Sequence, residues 1–221
     1  MKIQENVPLA SLSSYQIGGP ARYFCAPKNV KELKVDLLSL SAHKFYGPKG
    51  VGALYIRKGT NIAPFLLGGD QELGRRASTQ NVCGAVGLAK AVELCAQRMK
   101  YEAVNQTKLR NRLLVQVPKL IPGVKINGHT SKRLANNIHF SFDGVQGEAL
   151  MMGLDQADIA VSMGSACTSG ALVPSHVLRA IGLSDDLAMG ALRITLGRWT
   201  TAEQIDYFLD RLPGLVKSLR A

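Results

Sequence analysis

Two helical stretches that follow each other almost without a break constrain this 221-residue chain most. The first begins near Asn81, with Leu88, Val92, Cys95 and Met99 at three-to-four spacing along one face. Cys95 on that stripe reads as a core residue. The second runs from about Asn105 to Leu120 and stops at Pro122-Gly123. Together they predict one long inter-domain helix, with chain enough on either side for a domain each. Hydrophobic residues make up 46% of the sequence, sufficient for real cores.

Downstream of that helix, strands and helices alternate. Ile138 to Phe142 alternates apolar and polar as a half-buried strand, and Gly147 to Leu154 reads as a short helix. Ile159 to Ser162 reads as a strand. Pro174 opens a helix that Gly182 closes. Leu192 to Leu196 is a further strand, and Thr200 with Glu203 reads as the capping box of a final helix that Pro213 should kink or restart. Upstream, Val35 to Leu40 reads as a buried strand end and Ser41 to Gly50 as a loop. Val51 to Arg57 is a strand, with Ile62 to Leu67 as its expected partner across Gly59-Thr60. Gly68 to Thr79 reads as an ordered functional loop. Residues 1–34 differ in character: Ile17-Gly18-Gly19-Pro20-Ala21 is a turn between short strand-like stretches, and a helical start at Asn29 to Lys34 never completes.

The net charge is +11, from 27 basic and 16 acidic residues. Lys and Arg are scattered, without long runs or interleaved aromatics, so no nucleic acid is expected as a direct ligand. Cys25, Cys83, Cys95 and Cys167 have neither metal-ligand nor disulfide-framework spacing; no metal is expected, and a reducing cytoplasm is. The first residues lack an apolar core like that of a signal peptide, and no apolar run is long enough to span a membrane.

Candidate chemistry concentrates in four places. Six of the seven residues Gly164-Ser165-Ala166-Cys167-Thr168-Ser169-Gly170 are Gly, Ala, Ser or Thr. Such a setting suits a mobile nucleophilic thiol, although an isolated cysteine is often buried and inert. Lys44 sits between His43 and the aromatic pair Phe45-Tyr46. It is either a solvated surface group or an amine activated by burial and by His43 and Lys49. Ser41 and His43 add a hydroxyl and an imidazole that suit a phosphate or a ring. Thr79, after Arg75, Arg76 and Ser78, marks either an anion site or a capped helix start. Arg193 lies in an apolar strand and either snorkels or pairs with a carboxylate, a substrate's or that of Asp206.

These stretches occur in one chain in this order, with Gly68-Gly69-x-Gln71-Glu72-x-Gly74 ahead of Thr79-x-Asn81, Pro174-Ser175-His176 after the cysteine loop, and Leu192-Arg193-Ile194-Thr195-Leu196-Gly197-Arg198 last. From about residue 35 to 221 the sequence resembles the cysteine desulfurase family, in its iron–sulfur-cluster and nitrogen-fixation branch. The resemblance implies an α/β chain: a partial aspartate aminotransferase-like large domain (35–99) and a C-terminal α+β small domain (100–221). It implies pyridoxal 5'-phosphate bound covalently by Lys44, with Ser41 and His43 at its phosphate. Thr79 would reach the cofactor phosphate of the neighbouring subunit in a homodimer. Arg193 would hold the carboxylate of L-cysteine. Cys167 would take the sulfur as a persulfide, releasing L-alanine and serving an iron–sulfur scaffold or another sulfur acceptor.

Members of that family are nearly twice as long. Their N-terminal halves supply a Gly/Thr phosphate cradle, a stacking His, an Asp for the pyridinium nitrogen and a Gln for the ring hydroxyl. Residues 1–34 here contain no His and no Asp. Glu5 to Ala10 and Ile17 to Phe24 instead resemble the start of UDP-N-acetylenolpyruvoylglucosamine reductase, which places a join near Lys34/Val35. A flavin domain needs far more chain, so no FAD is expected. The expectation is a truncated desulfurase-type enzyme. The alternative is a non-catalytic remnant, or a sulfur-carrying or dimerising module acting with a full-length homologue.

Overall fold

The computed structural model describes residues 4–8, 20–24, 35–163 and 174–220, the first two segments by backbone alone. Gln4–Pro8 (β1) pairs antiparallel with Pro20–Phe24 (β2). The helical start expected at Asn29 to Lys34 lies outside the described residues. The rest divides into two compact units, one ending at Lys100 and the other beginning at Tyr101.

In the first unit, Leu37–Ser41 (β3) and Gly52–Ile56 (β4) form a two-stranded antiparallel sheet, with Leu38 opposite Tyr55 and Leu40 opposite Ala53. The burial expected of this strand is not met: Leu37, Leu38 and Leu40 are exposed, with no described residue covering them. The partner of β4 is thus the strand before it, not Ile62 to Leu67, which forms no strand. The physical reason is chain reach: the connection of about ten residues lets Ser41 and Gly52 meet directly. Gln71–Gly74 (α1) is a single turn in which Glu72 (φ 53°) and Leu73 (φ 59°) are left-handed.

Val82–Leu120 (α2) is one continuous helix of 39 residues that enters both units, so the two expected helical stretches are a single element. Asn81 caps it: its Oδ1 accepts from the Gly84 N–H at 2.9 Å. Asn81→Ala is expected to cost about 1 kcal/mol; urea unfolding followed by helical ellipticity checks this, and an unchanged midpoint would contradict it. Of the expected apolar stripe only Leu88 and Cys95 are half-buried, whereas Val92 and Met99 are exposed. The spacing is helical, but no described residue covers that part of the face.

The second unit holds the sheet β5 (Val124–Ile126), β6 (Asn137–Phe142), β7 (Ala191–Thr195), antiparallel in that order. Gly147–Asp155 (α3), His176–Ala180 (α4), Asp185–Met189 (α5) and Ala202–Arg220 (α6) complete it. Ile138, Phe140 and Phe142 of β6 enter one core. Its helical walls are Leu109, Leu113 and Val117 of α2, Leu150 and Leu154 of α3, and the stripe Ile205, Phe208, Leu209, Leu212, Val216 of α6. These stripes repeat every three to four residues, which turns one face of each helix toward the sheet.

Four local expectations need correcting. The capping box of α6 is Thr201 with Gln204, one residue along: Gln204 N–H donates to Thr201 Oγ1 (3.3 Å) and Thr201 N–H to Gln204 Oε1 (3.1 Å). Thr200 Oγ1 instead accepts from the Gly197 N–H. Pro213 sits inside α6, which continues past it rather than restarting. Ile159 to Ser162 makes only an isolated bridge, from Ser162 to Arg193. Pro174 precedes α4 by two residues rather than lying in its first turn, while Gly182 (φ 85°) ends it as expected.

Candidate active site

Lys44 lies on the connection between β3 and β4. The segment Ser41 to Gly50, expected as plain loop, contains a 3-10 turn over Ala42–Phe45, ended by left-handed Tyr46 (φ 68°). The Ala42 N–H donates to Val51 O (3.1 Å) and the Gly47 N–H to Ala42 O (2.9 Å), closing the turn on itself. Two contacts hold it on α2. Pro48 packs where a Cβ on Gly87 would come within 2.8 Å of its ring, so only glycine fits that helical position. The Cys95 thiol donates to Phe45 O at 3.4 Å, so Cys95 is a half-buried tether rather than a core residue. Ala42 is buried and faces inward. His43 and Lys44 are exposed, with Ser41 half-buried beside them. Among the described residues no carboxylate pairs with Lys44 and nothing buries it. The burial considered for activating this amine therefore does not come from the described chain.

Thr79 is exposed in the same unit, two residues ahead of the Asn81 cap. Left-handed Ser78 (φ 82°) turns the chain there, and Arg76 Nη1 donates to the carbonyls of Ser78 (3.3 Å) and Thr79 (3.5 Å). Arg76 thus braces the turn through the backbone, and Thr79 stays exposed.

Arg193 belongs to the second unit, half-buried in the middle of β7. Leu192 and Ile194 point into the core, so alternation sets Arg193 on the other face. Its backbone bonds Ser162 both ways, which fixes Ser162, five residues before Cys167, to the sheet. Cys167 itself lies outside the described residues. Asp206, one of the two carboxylate partners considered for Arg193, is paired with Arg112 of α2 instead. The structure therefore brings Ser41, His43 and Lys44 together on one turn, places Thr79 in the same unit, and places Arg193 in the other.

A polar cluster on the Arg193 face has no counterpart in the sequence reading. His139 and Ser141 occupy the polar positions of β6, and both are buried. Asn127 Nδ2 donates to His139 Nδ1 (2.9 Å) and Ser141 Oγ (2.8 Å). Arg133 straps the segment 127–136 by donating to the carbonyls of Asn127 (2.7 Å) and His129 (2.8 Å). Burial, then the charges of Arg193 and Arg133, push His139 down to about 4, so it is neutral at pH 7. His139 stands directly opposite Arg193 in the β6/β7 register. The one sign in the sequence was a histidine and an arginine in neighbouring apolar strands. A groove of about 450 Å³, lined by Leu113, Val161, Ile194, Thr200, Glu203 and Phe208 among others, has none of the five described candidate residues in its lining.

A family model, Aminotransferase class-V, matches residues 21–208. The chain belongs to that family. The class-V match begins at Ala21, ahead of the join expected near Lys34/Val35, and spans all six candidate residues. The cysteine desulfurase IscS of Dictyoglomus turgidum is 53% identical over 194 residues, which is 88% of this chain and 49% of that protein. IscS of Clostridium botulinum is 52% identical over 194 residues, 87% of this chain and 49% of its own length. Among solved structures, a NifS-like protein superposes with a TM-score of 0.76 at 39% identity, covering 86% of this chain and 48% of that one. The expected partial class-V fold, an α/β chain covering part of the aminotransferase architecture, is therefore the fold found. The chain spans about half the length of the curated relatives it matches.

Proposed function

We propose that this class-V chain carries the lysine, thiol and carboxylate-binding parts of a cysteine desulfurase. The observation that carries the reading is the Lys44 turn: an exposed amine with an imidazole and a hydroxyl beside it, pinned to α2 at two points. That donor set fits pyridoxal 5'-phosphate, because an amine suits its aldehyde while His43 and Ser41 suit its phosphate. When bound, the cofactor supplies an electron-withdrawing ring that stabilises negative charge developing on the substrate. Lys44 holds it in place. Arg193 receives the carboxylate of L-cysteine as a bidentate cation and so orients the substrate. Cys167 takes the substrate sulfur: a sulfur–sulfur bond forms as the carbon–sulfur bond breaks, a proton replaces sulfur on that carbon, and L-alanine leaves.

The Cys167 persulfide then serves iron–sulfur cluster assembly or thio-cofactor synthesis through a scaffold or sulfur-acceptor protein. Thr79, exposed ahead of α2, serves the cofactor phosphate of a second subunit in a homodimer. A reducing cytoplasm keeps the thiol available between turnovers. What supports this assignment is identity above half to two cysteine desulfurases across the region that holds every named residue.

The test is reductive trapping. Purified chain is incubated with pyridoxal phosphate, reduced with borohydride and mapped by peptide mass. The label is expected on the Lys44 peptide and to fall at least about 100-fold in Lys44→Ala. L-Cysteine should then yield alanine and a persulfide that Cys167→Ser lacks. Label spread evenly over surface lysines, with no alanine formed, would overturn the reading.

A further inference from the structure

Asn127, His139, Arg193 and Ser162 form one polar row across the second unit. The Asn127 N–H donates to His139 O (2.9 Å), His139 stands opposite Arg193, and Ser162 bridges to Arg193 on its far side. Side chains paired in this way share a face and lie about 5 Å apart. The row is rigid at its buried end. Asn127 is 1% exposed and His139 4%. The Asn127 side chain bonds both His139 Nδ1 and Ser141 Oγ, and Arg133 holds the Asn127 carbonyl. The imidazole cannot turn away without breaking a buried hydrogen bond. Arg193, half-buried, has its backbone fixed on both sides, by β6 and by Ser162, so its side chain is the part left to order.

We infer that His139 is a positioning residue: held by Asn127, it sets the Arg193 guanidinium for the carboxylate of the substrate. The inference rests on the role proposed above for Arg193. An arginine side chain gives up rotamer freedom when it receives a carboxylate, and a fixed ring beside it removes part of that loss beforehand. The charges around the row suit an anion. Among the described residues, those acting on His139 are Arg193 of β7 and Arg133 of the segment after β5, both positive. A neutral imidazole flanks the guanidinium without competing for it, as an aspartate or glutamate in the same place would.

The experiment follows the 221-residue chain by NMR, with isotope-labelled arginine and histidine. The probe is propionate, which has the carboxylate of the substrate but neither its amine nor its thiol. The Arg193 Nε–H signal is assigned by its loss in Arg193→Lys. In the parent, propionate should shift that signal. It should also raise the pH at which His139 titrates, about 4 in the free chain, because the carboxylate offsets the repulsion from Arg193. His139→Leu fills the volume of the ring but cannot bond Asn127. It should loosen the guanidinium, read as faster relaxation of the Nε–H, and weaken propionate about three- to tenfold at pH 7. His139→Gln keeps an amide beside Asn127 and should bind propionate within about twofold of the parent. Circular dichroism checks that both variants fold. If the parent binds propionate and His139→Leu binds it as tightly, with an equally ordered guanidinium, the positioning role is overturned and the carboxylate role of Arg193 stands. If propionate moves neither Arg193 nor His139 in the parent, both roles fall, whereas labelling of Lys44 does not depend on either.

Discussion

Phe140→Ala is expected to destabilise the second unit by about 4 kcal/mol, within the range for emptying a buried phenylalanine site. Phe140 is fully buried at the centre of β6, between Ile126 of β5 and Leu192 of β7 in the registers on either side. Its ring lies 6.1 Å from that of Phe142 at a tilted 57°, an aromatic contact worth up to about 1 kcal/mol beyond burial. The core around it is walled by three helices whose own spacing is fixed by Leu113, Leu154 and Leu212, all fully buried, so the cavity cannot collapse cheaply. A loss of this size is a large part of an ordinary domain's stability. Phe140→Leu, which keeps most of the volume, should cost about 1 kcal/mol. Urea unfolding of parent and variants measures both; a Phe140→Ala loss under about 1 kcal/mol would show that the packing is wrong.

Acid should weaken the same unit through His139. Its ordinary value of 6.5 falls to about 4 in the fold, because burial, Arg193 and Arg133 all oppose its charge. The unfolded chain therefore takes up the proton first. The contribution is complete above pH 6.5 and is lost as the pH falls from 6.5 to 4. A shift of that size corresponds to roughly 3 kcal/mol. His139→Gln removes the titrating group while keeping an amide near Asn127 and Ser141. The drop in unfolding free energy between pH 7 and pH 4 should then shrink by that amount relative to the parent. Carboxylates elsewhere contribute equally to both proteins and cancel in the comparison. Equal acid losses in parent and variant would refute the buried neutral histidine.

The candidate site was legible in the sequence to the extent that its residues sit in short motifs. Lys44 and His43 share a turn because they are adjacent, and Thr79 precedes a helix because Asn81 can cap one. His139 and Ser141 were not legible as buried. Strand alternation says only that they share a face, and Asn127, whose side chain bonds both, comes to that face from the neighbouring strand's end. The Lys44 turn is similar: its motif was visible, but its anchoring to Gly87 and Cys95 depends on residues about forty to fifty positions away.

The sequence by itself determined the helix from Val82 to Leu120, the strands at 37–41, 52–56, 137–142 and 191–195, and the family. Those properties are set by side-chain spacing within a few residues and by motifs read as strings. Only the tertiary structure decided that β4 pairs with β3, that Val92 and Met99 stay exposed on an apolar stripe, and that His139 is dry opposite Arg193. Each of these depends on what lies across a gap from distant chain. Local periodicity can specify that a face is apolar, but not which segment comes to cover it.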